Sequence, residues 1–175
     1  MSHSPFCVQF VGCLRTAFAV CSTISRQPSE VAGETAIRRL AYSDLPRVIS
    51  IERRSFPVPW SLAMFVLELS KPSGICLAAS EGDELLGYLV CSRYDRVWHL
   101  MNVAVAPERR RRGVASRLIS QLTAEAGGEL PFTLEVRVSN RDAIAMYERL
   151  GFRSAGVRPR YYQDNGEDAL IMWLD

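Results

Sequence analysis

Apolar positions along this chain repeat with two periods, and each change of period marks the border of an element. Residues 35–40 alternate in the manner of a half-buried strand. Ser43 then offers a helix cap, with Asp44 and Pro46 in the first turn. Leu45, Val48, Ile49 and Ile51 supply the apolar stripe of a helix running to about Ser55. Pro57 and Pro59 interrupt the chain before a second helix over 61–69, whose predicted inward residues are Leu62, Phe65, Val66 and Leu69. Residues 75–79 and 85–92 read as a hairpin around Glu81-Gly82-Asp83-Glu84. A third long strand, 98–105, is stopped by Pro107. Residues 113–126 have the spacing of an amphipathic helix with Val114, Leu118, Ile119 and Leu122 on one face, ended by Gly127-Gly128. A strand over 132–138, a helix over 140–150 and closing strands over 152–155 and 168–174 complete the order β-α-α-β-β-β-α-β-α-β-β. No segment repeats another. Such an order predicts an α/β domain, a mixed sheet with helices on both faces.

Residues 1–34 stand apart from this pattern. They lack clear periodicity and have no acidic residue before Glu30. A secretory signal needs a basic start ahead of an uninterrupted apolar stretch, and here Arg15 falls inside the apolar region. The Ser-rich, acid-poor composition leaves an organelle transit peptide open. The preferred reading is an N-terminal extension that is disordered or belongs to a start placed too far upstream, followed by one domain over 35–175.

Composition narrows the function classes. No apolar run approaches the roughly 20 residues that span a bilayer. The net charge of +2 does not announce a nucleic-acid binder. Lys71 is the sole lysine among 21 basic residues. Five cysteines, an odd number without CxxC spacing, point away from a disulfide framework or a zinc site and towards a reducing cytoplasm.

The segment from Val103 to Ala115 carries the most chemistry. An apolar strand containing Val103, Ala104 and Val105 ends in Pro107 and Arg109-Arg110-Arg111-Arg112, and a helix begins at Gly113-Val114-Ala115. Amide groups at a helix N-terminus have no intrahelical acceptor, and the helix dipole adds partial positive charge there. A pyrophosphate fits such a site, Gly113 allows close approach, and arginines add charge-assisted contacts. The same residues taken alone also read as a basic surface turn or a nucleic-acid patch. The spacing matches neither a P-loop nor a dinucleotide fingerprint. Downstream, Asn140 is placed to cap the helix over 140–150. On their own, Glu135 reads as a solvent-facing strand carboxylate and Tyr147 as a core aromatic. His99 reads as a hydrogen-bonded interior histidine, and Trp60 with Tyr161-Tyr162 as either groove lining or edge packing.

At Arg110, Gly113 and Ala115 the chain resembles the GNAT family of N-acetyltransferases, whose central motif is Gln/Arg-x-x-Gly-x-Gly/Ala. The run from Asn140 to Phe152 resembles the family's second cofactor-binding motif. Phe56-Pro57-Val58-Pro59-Trp60-Ser61 and Arg160-Tyr161-Tyr162 make it most similar to the bacterial ribosomal-protein-alanine N-acetyltransferase branch. The resemblance implies a mixed, mostly antiparallel sheet of about seven strands flanked by about four helices. It implies acetyl-CoA as cosubstrate, no metal, and a ribosomal-protein N-terminal peptide as acceptor. It also implies that Arg110, Arg111, Arg112, Gly113, Val114 and Ala115 hold the pyrophosphate. A bulged strand around 102–105, with the backbone of Val103, Ala104 and Val105, and Asn140 would hold the pantetheine arm. By the same carry-over Glu135 is the base and Tyr147 the acid. Lysine or small-molecule acetylation, a regulator without catalysis and a salt-sensitive nucleic-acid module remain the competing readings.

Overall fold

The computed structural model describes residues 34–175; the reading of residues 1–33 as an extension lies outside the described residues. Seven strands, β1 (Ala36–Arg39), β2 (Gly74–Glu81), β3 (Glu84–Tyr94), β4 (Val97–Val105), β5 (Phe132–Arg137), β6 (Arg153–Tyr162) and β7 (Glu167–Leu174), form one sheet in the order β1-β2-β3-β4-β5-β7-β6. Four α-helices flank it: α1 (Leu45–Ser55), α2 (Leu62–Ser70), α3 (Val114–Ala126) and α4 (Arg141–Arg149). All strand pairs are antiparallel except β4 with β5.

Strand alternation divides the core in two. Leu77, Ala79, Leu89, Cys91, Leu100, Val103, Leu134 and Val136 face α3 and α4. Cys76, Ala78, Tyr88, Val90, Met101 and Ala104 face α1 and α2. The long continuous apolar runs of β2, β3 and β4 follow from burial on both sides, which period-two alternation in a half-exposed strand would not give. Gly87 is where β3 lies closest to β4, since a Cβ there would stand 2.6 Å from the Ala104 carbonyl oxygen.

Several local expectations need correction. Ser43 does not cap α1, because a 3-10 turn over Tyr42–Asp44 precedes the helix. The Asp44 carboxylate instead accepts from Arg38 at 2.7 and 2.8 Å and from Ala41 N at 2.9 Å. Ser61 does cap α2, accepting from Met64 N at 3.4 Å. The face of α2 is rotated from the expected one: Phe65 and Glu68 are buried, whereas Leu62 and Val66 are exposed. Glu68 tolerates burial because Ser92 Oγ donates to it at 2.5 Å and Lys71 Nζ at 2.7 Å. β6 runs seven residues beyond the predicted 152–155, through Gly156 and Pro159 to Tyr162, where its pairing with β7 shifts register twice. Those irregularities broke the alternation that would have announced the strand.

Candidate active site

The β4–β5 pair decides the shape of the site. It is joined only at Trp98↔Phe132 and His99↔Thr133, although β4 continues to Val105 and β5 to Arg137. Beyond His99 the strands part, and the facing backbone edges of Met101–Val105 and 134–137 lack a strand partner there. A bulge in β4 opens the split. Val90 pairs with Asn102 and Cys91 with Leu100, so Met101 is the extra residue. The bulge therefore falls just before the expected 102–105. It places Met101 and Asn102 in succession on the α1/α2 side.

Both helices that follow the parting strands start at its mouth. α3 opens from Gly113, whose φ of +77° is left-handed and whose surroundings within 4 Å are empty. Arg111 also has positive φ, at +65°. α4 opens from Asn140, whose Oδ1 accepts from Ala143 N at 3.3 Å. Two helix N-termini thus converge on the carboxyl ends of two parallel strands, an arrangement suited to an anionic ligand. Asn140 Nδ2 is buried and has no hydrogen-bond partner among the described residues. An orphaned amide donor at this place is what a ligand carbonyl would satisfy, so the residues present fit an acetyl-CoA arm lying in the split.

The arginines of the loop divide their work. The Arg110 guanidinium turns inward, donating to the Val105 carbonyl at 3.1 Å and to Ser55 Oγ at 3.0 Å, and so ties the loop to β4 and to the end of α1. Arg111 reaches Asp142 in the first turn of α4 at 2.9 Å, linking the two helix starts. Arg109 is paired with Glu84, and with Glu81 at 3.6 Å, both at the β2–β3 turn. The hydrogen bond it donates to Glu84 holds the Arg109 guanidinium above its usual range. Arg112 is exposed. The backbone amides of Gly113, Val114 and Ala115 lie at the start of α3.

Glu135 and Tyr147 lie on opposite faces of the sheet. Leu134 and Val136 point into the α3/α4 core, so Glu135 between them points to the other face. Glu135 is not the solvent-facing carboxylate that its sequence position suggests, for it is 2% exposed. His99 Nε2 lies 2.6 Å from its Oε2, and Arg158 of β6 is 3.1 Å from its Oε1. Tyr147, fully buried in α4, sits in the α3/α4 core against the Phe152 ring at 5.6 Å. α1 and α2 cover β2–β4 on the Glu135 face, while β6 is exposed along most of its length. That uncovered strip beside Glu135 leaves room for an acceptor.

Neighbouring residues fix the walls. Glu52 is fully buried, accepting from Trp60 N at 2.7 Å, from Asn102 Nδ2 at 3.3 Å and from Tyr88 Oη. Burial pushes its carboxyl above the usual range despite those donors. Trp60 is thereby packed on Phe65, with ring centroids 5.3 Å apart, and belongs to the core. Arg137 lies 3.7 Å over the Tyr162 ring and binds Asp164 at 2.8 Å and Glu167 at 3.1 Å, which holds the β6–β7 turn against β5. Tyr161 is half-buried. Burial raises the Cys76 thiol to about 11 and the Cys91 thiol well above its normal range, so neither offers a thiolate.

His99, Glu52, Arg137 and Arg158 were not singled out by sequence as members of the site. One signal was present: Glu52 occupies the apolar stripe of α1 with Val48 and Ser55, and a carboxylate there requires buried partners.

Comparison with known proteins matches this arrangement. Residues 45–152 match the family model described as the acetyltransferase (GNAT) family. A relative from Bacillus subtilis, named as a putative ribosomal protein bS18-alanine N-acetyltransferase, is 35% identical over 151 residues, covering 81% of this chain and 95% of the relative. The crystal structure of the ribosomal-protein-S18-alanine N-acetyltransferase from Escherichia coli superposes with a TM-score of 0.75 at 33% identity, covering 81% and 93% of the two chains. At 22% identity, and so for the fold alone, the Arabidopsis thaliana NAA60 structure solved with acetyl-CoA gives a TM-score of 0.73 over 81% of this chain and 99% of that one. The chain therefore belongs to the GNAT family, and the split sheet with two helix N-termini at its mouth is its candidate active site.

Proposed function

We propose that this acetyltransferase moves the acetyl group of acetyl-CoA directly onto the N-terminal amine of a protein, with the N-terminal alanine of a small-subunit ribosomal protein as acceptor. The observation that carries this reading is the parting of β4 from β5, with Glu135 on one face of the sheet and Tyr147 in the core on the other. A thioester lying in the split has the acceptor amine on one side and the departing sulfur on the other. Among the described residues no helix covers β5–β7 on the α1/α2 face, and an extended N-terminus approaches Glu135 from there across the exposed β6. An α-ammonium has a reference pKa of about 8, so a modest base suffices to free its lone pair near neutral pH. The amine then attacks the acetyl carbonyl, the backbone of Val103, Ala104 and Val105 holds the thioester and pantetheine, and the Tyr147 phenol gives its proton to the CoA thiolate. Asn140 Nδ2 donates to the pantetheine arm, and the amides of 113–115 with Arg111 and Arg112 take the pyrophosphate. Arg110 acts through the loop it braces.

The named relatives support the acceptor. A nucleic-acid role for the arginine run gains nothing from the structure, because Arg109, Arg110 and Arg111 are engaged within the fold. The test is initial-rate transfer from labelled acetyl-CoA to an alanine-starting ribosomal peptide, beside the same peptide with a blocked N-terminus. Transfer to the free peptide alone is expected. Equal transfer to the blocked peptide would assign the acceptor to a side-chain amine.

A further inference from the structure

We infer that Glu135 and His99 form a single base, in which the imidazole carries the acceptor's proton and the carboxylate holds and neutralises it. This rests on the reading of Glu135 as a proton-handling group and deepens it.

Glu135 has both of its oxygens engaged: Oε2 lies 2.6 Å from His99 Nε2, and Oε1 lies 3.1 Å from an Arg158 guanidinium nitrogen. By reference values a carboxylate of the glutamate type lies about 3.5 units below an α-ammonium, whereas an imidazole lies only about 1.5 units below. Proton transfer is most effective when donor and acceptor are closely matched. The imidazole is therefore the better resting place for the proton, and a buried carboxylate 2.6 Å from one ring nitrogen is the group that fixes and offsets an imidazolium.

The step balances without any further reactant. An N–H bond of the acceptor ammonium breaks and an N–H bond forms on the His99 ring, directly or through one water. The ring becomes imidazolium, the Glu135 carboxylate stays ionised, and the amine keeps the lone pair that attacks the thioester. His99 is anchored in the last rung joining β4 to β5, where it pairs with Thr133, and Glu135 is held on the other edge of β5 by its pairing with Ile171 of β7. His99 is 8% exposed, so the proton has an exit to solvent that Glu135, at 2%, does not.

The charged and titratable groups around the ring come from four elements. Glu135 is supplied by β5 and Arg158 by β6. Tyr94 of β3 lies edge-on with ring centroids 6.3 Å apart. Lys71, following α2, donates to Tyr94 Oη at 3.3 Å and pairs with Glu68.

The experiment is chemical rescue of His99→Ala, with His99→Gln as a second variant that preserves bulk and Glu135→Gln alongside. Acetyl-CoA affinity and thermal melting are recorded for each. His99→Ala is expected to lose at least tenfold in kcat with acetyl-CoA affinity unchanged and to regain turnover on addition of free imidazole, in proportion to its neutral form. His99→Gln is expected to lose the acid limb of the kcat/KM profile that lies in the imidazole range. Wild-type turnover in both His99 variants, a loss that imidazole does not restore, or an acid limb left in place would overturn the shared base. Wild-type turnover in Glu135→Gln would overturn the reading beneath it.

Discussion

The residues that separate chemistry from scaffolding here are polar side chains buried among apolar ones. Tyr147 is the clearest case, since its ring packs as any core aromatic while its hydroxyl is assigned the proton for the leaving thiolate. Tyr147→Phe keeps the packing and removes only that proton. Its kcat is expected to fall about a hundredfold, within the range for loss of an acid catalyst, with acetyl-CoA affinity unchanged; steady-state kinetics and titration calorimetry measure the two. Glu52 makes the opposite point. It touches no proposed reacting atom, yet Trp60 N, Tyr88 and Asn102 all direct hydrogen bonds at it. Glu52→Ala takes away the acceptor those buried groups share, and removing one partner of a buried pair costs about 1–3 kcal/mol for each group stranded. Glu52→Gln keeps an acceptor and removes the buried charge, so urea unfolding should find it markedly the more stable of the two. Glu52 left one signal in the sequence, its place in the apolar stripe of α1, whereas a buried tyrosine and a catalytic tyrosine share one spacing and only the family motif pointed to Tyr147.

At the scale of elements, apolar period was a good guide wherever one core face dominated. α3 and α4 came within a residue or two of their predicted bounds because Val114, Leu118, Ile119 and Leu122 on one, and Ala143, Ile144 and Tyr147 on the other, pack on one sheet face. The same logic misplaced the face of α2, where Leu62 and Val66 look outward and Glu68 inward. An ion pair to Lys71 at the C-cap of α2 and a hydrogen bond from Ser92 of β3 make that burial tolerable, and the β3 partner is remote in sequence. The phosphate loop was legible because its requirement is a backbone one. At Gly113 the space around a Cβ is open, so the constraint is its φ of +77° alone. A left-handed residue with a side chain costs roughly 1–2 kcal/mol, and Asn bears it more easily than β-branched residues. If that strain displaces the loop, Gly113→Val should raise the acetyl-CoA Kd by roughly tenfold, the equivalent of about 1.4 kcal/mol. Gly113→Asn should raise it less, and equal affinities for the two would separate cofactor binding from this conformation.

Across the whole molecule, one sheet joins two unlike halves. Strands β2–β4 are covered on both faces, whereas among the described residues β5–β7 carry helices on one face only, and the candidate site lies at the seam. The open half has fewer packed side chains to hold it, and Arg137 anchors its distal turn through Asp164, Glu167 and Tyr162. Burial alone pushes the Glu167 carboxyl up, but hydrogen bonds from Ser139, Arg137 and Asn165 outweigh it and bring it down to about 2 from an ordinary 4.5. The fold therefore favours the ionised carboxylate. Its contribution to stability is in place above about pH 4.5 and is lost as pH falls towards about 2. Urea midpoints measured across that interval should decline more steeply for the wild type than for Glu167→Gln.

The account as a whole claims that the seam acetylates a protein N-terminus. Intact-mass spectrometry of small-subunit ribosomal proteins, isolated from cells with and without this enzyme, examines that claim most directly. One acetyl group on an alanine N-terminus that disappears with the enzyme, and with the Tyr147→Phe variant in its place, is the predicted result. Unchanged N-termini throughout, with acetyl groups lost only from lysine side chains, would contradict it.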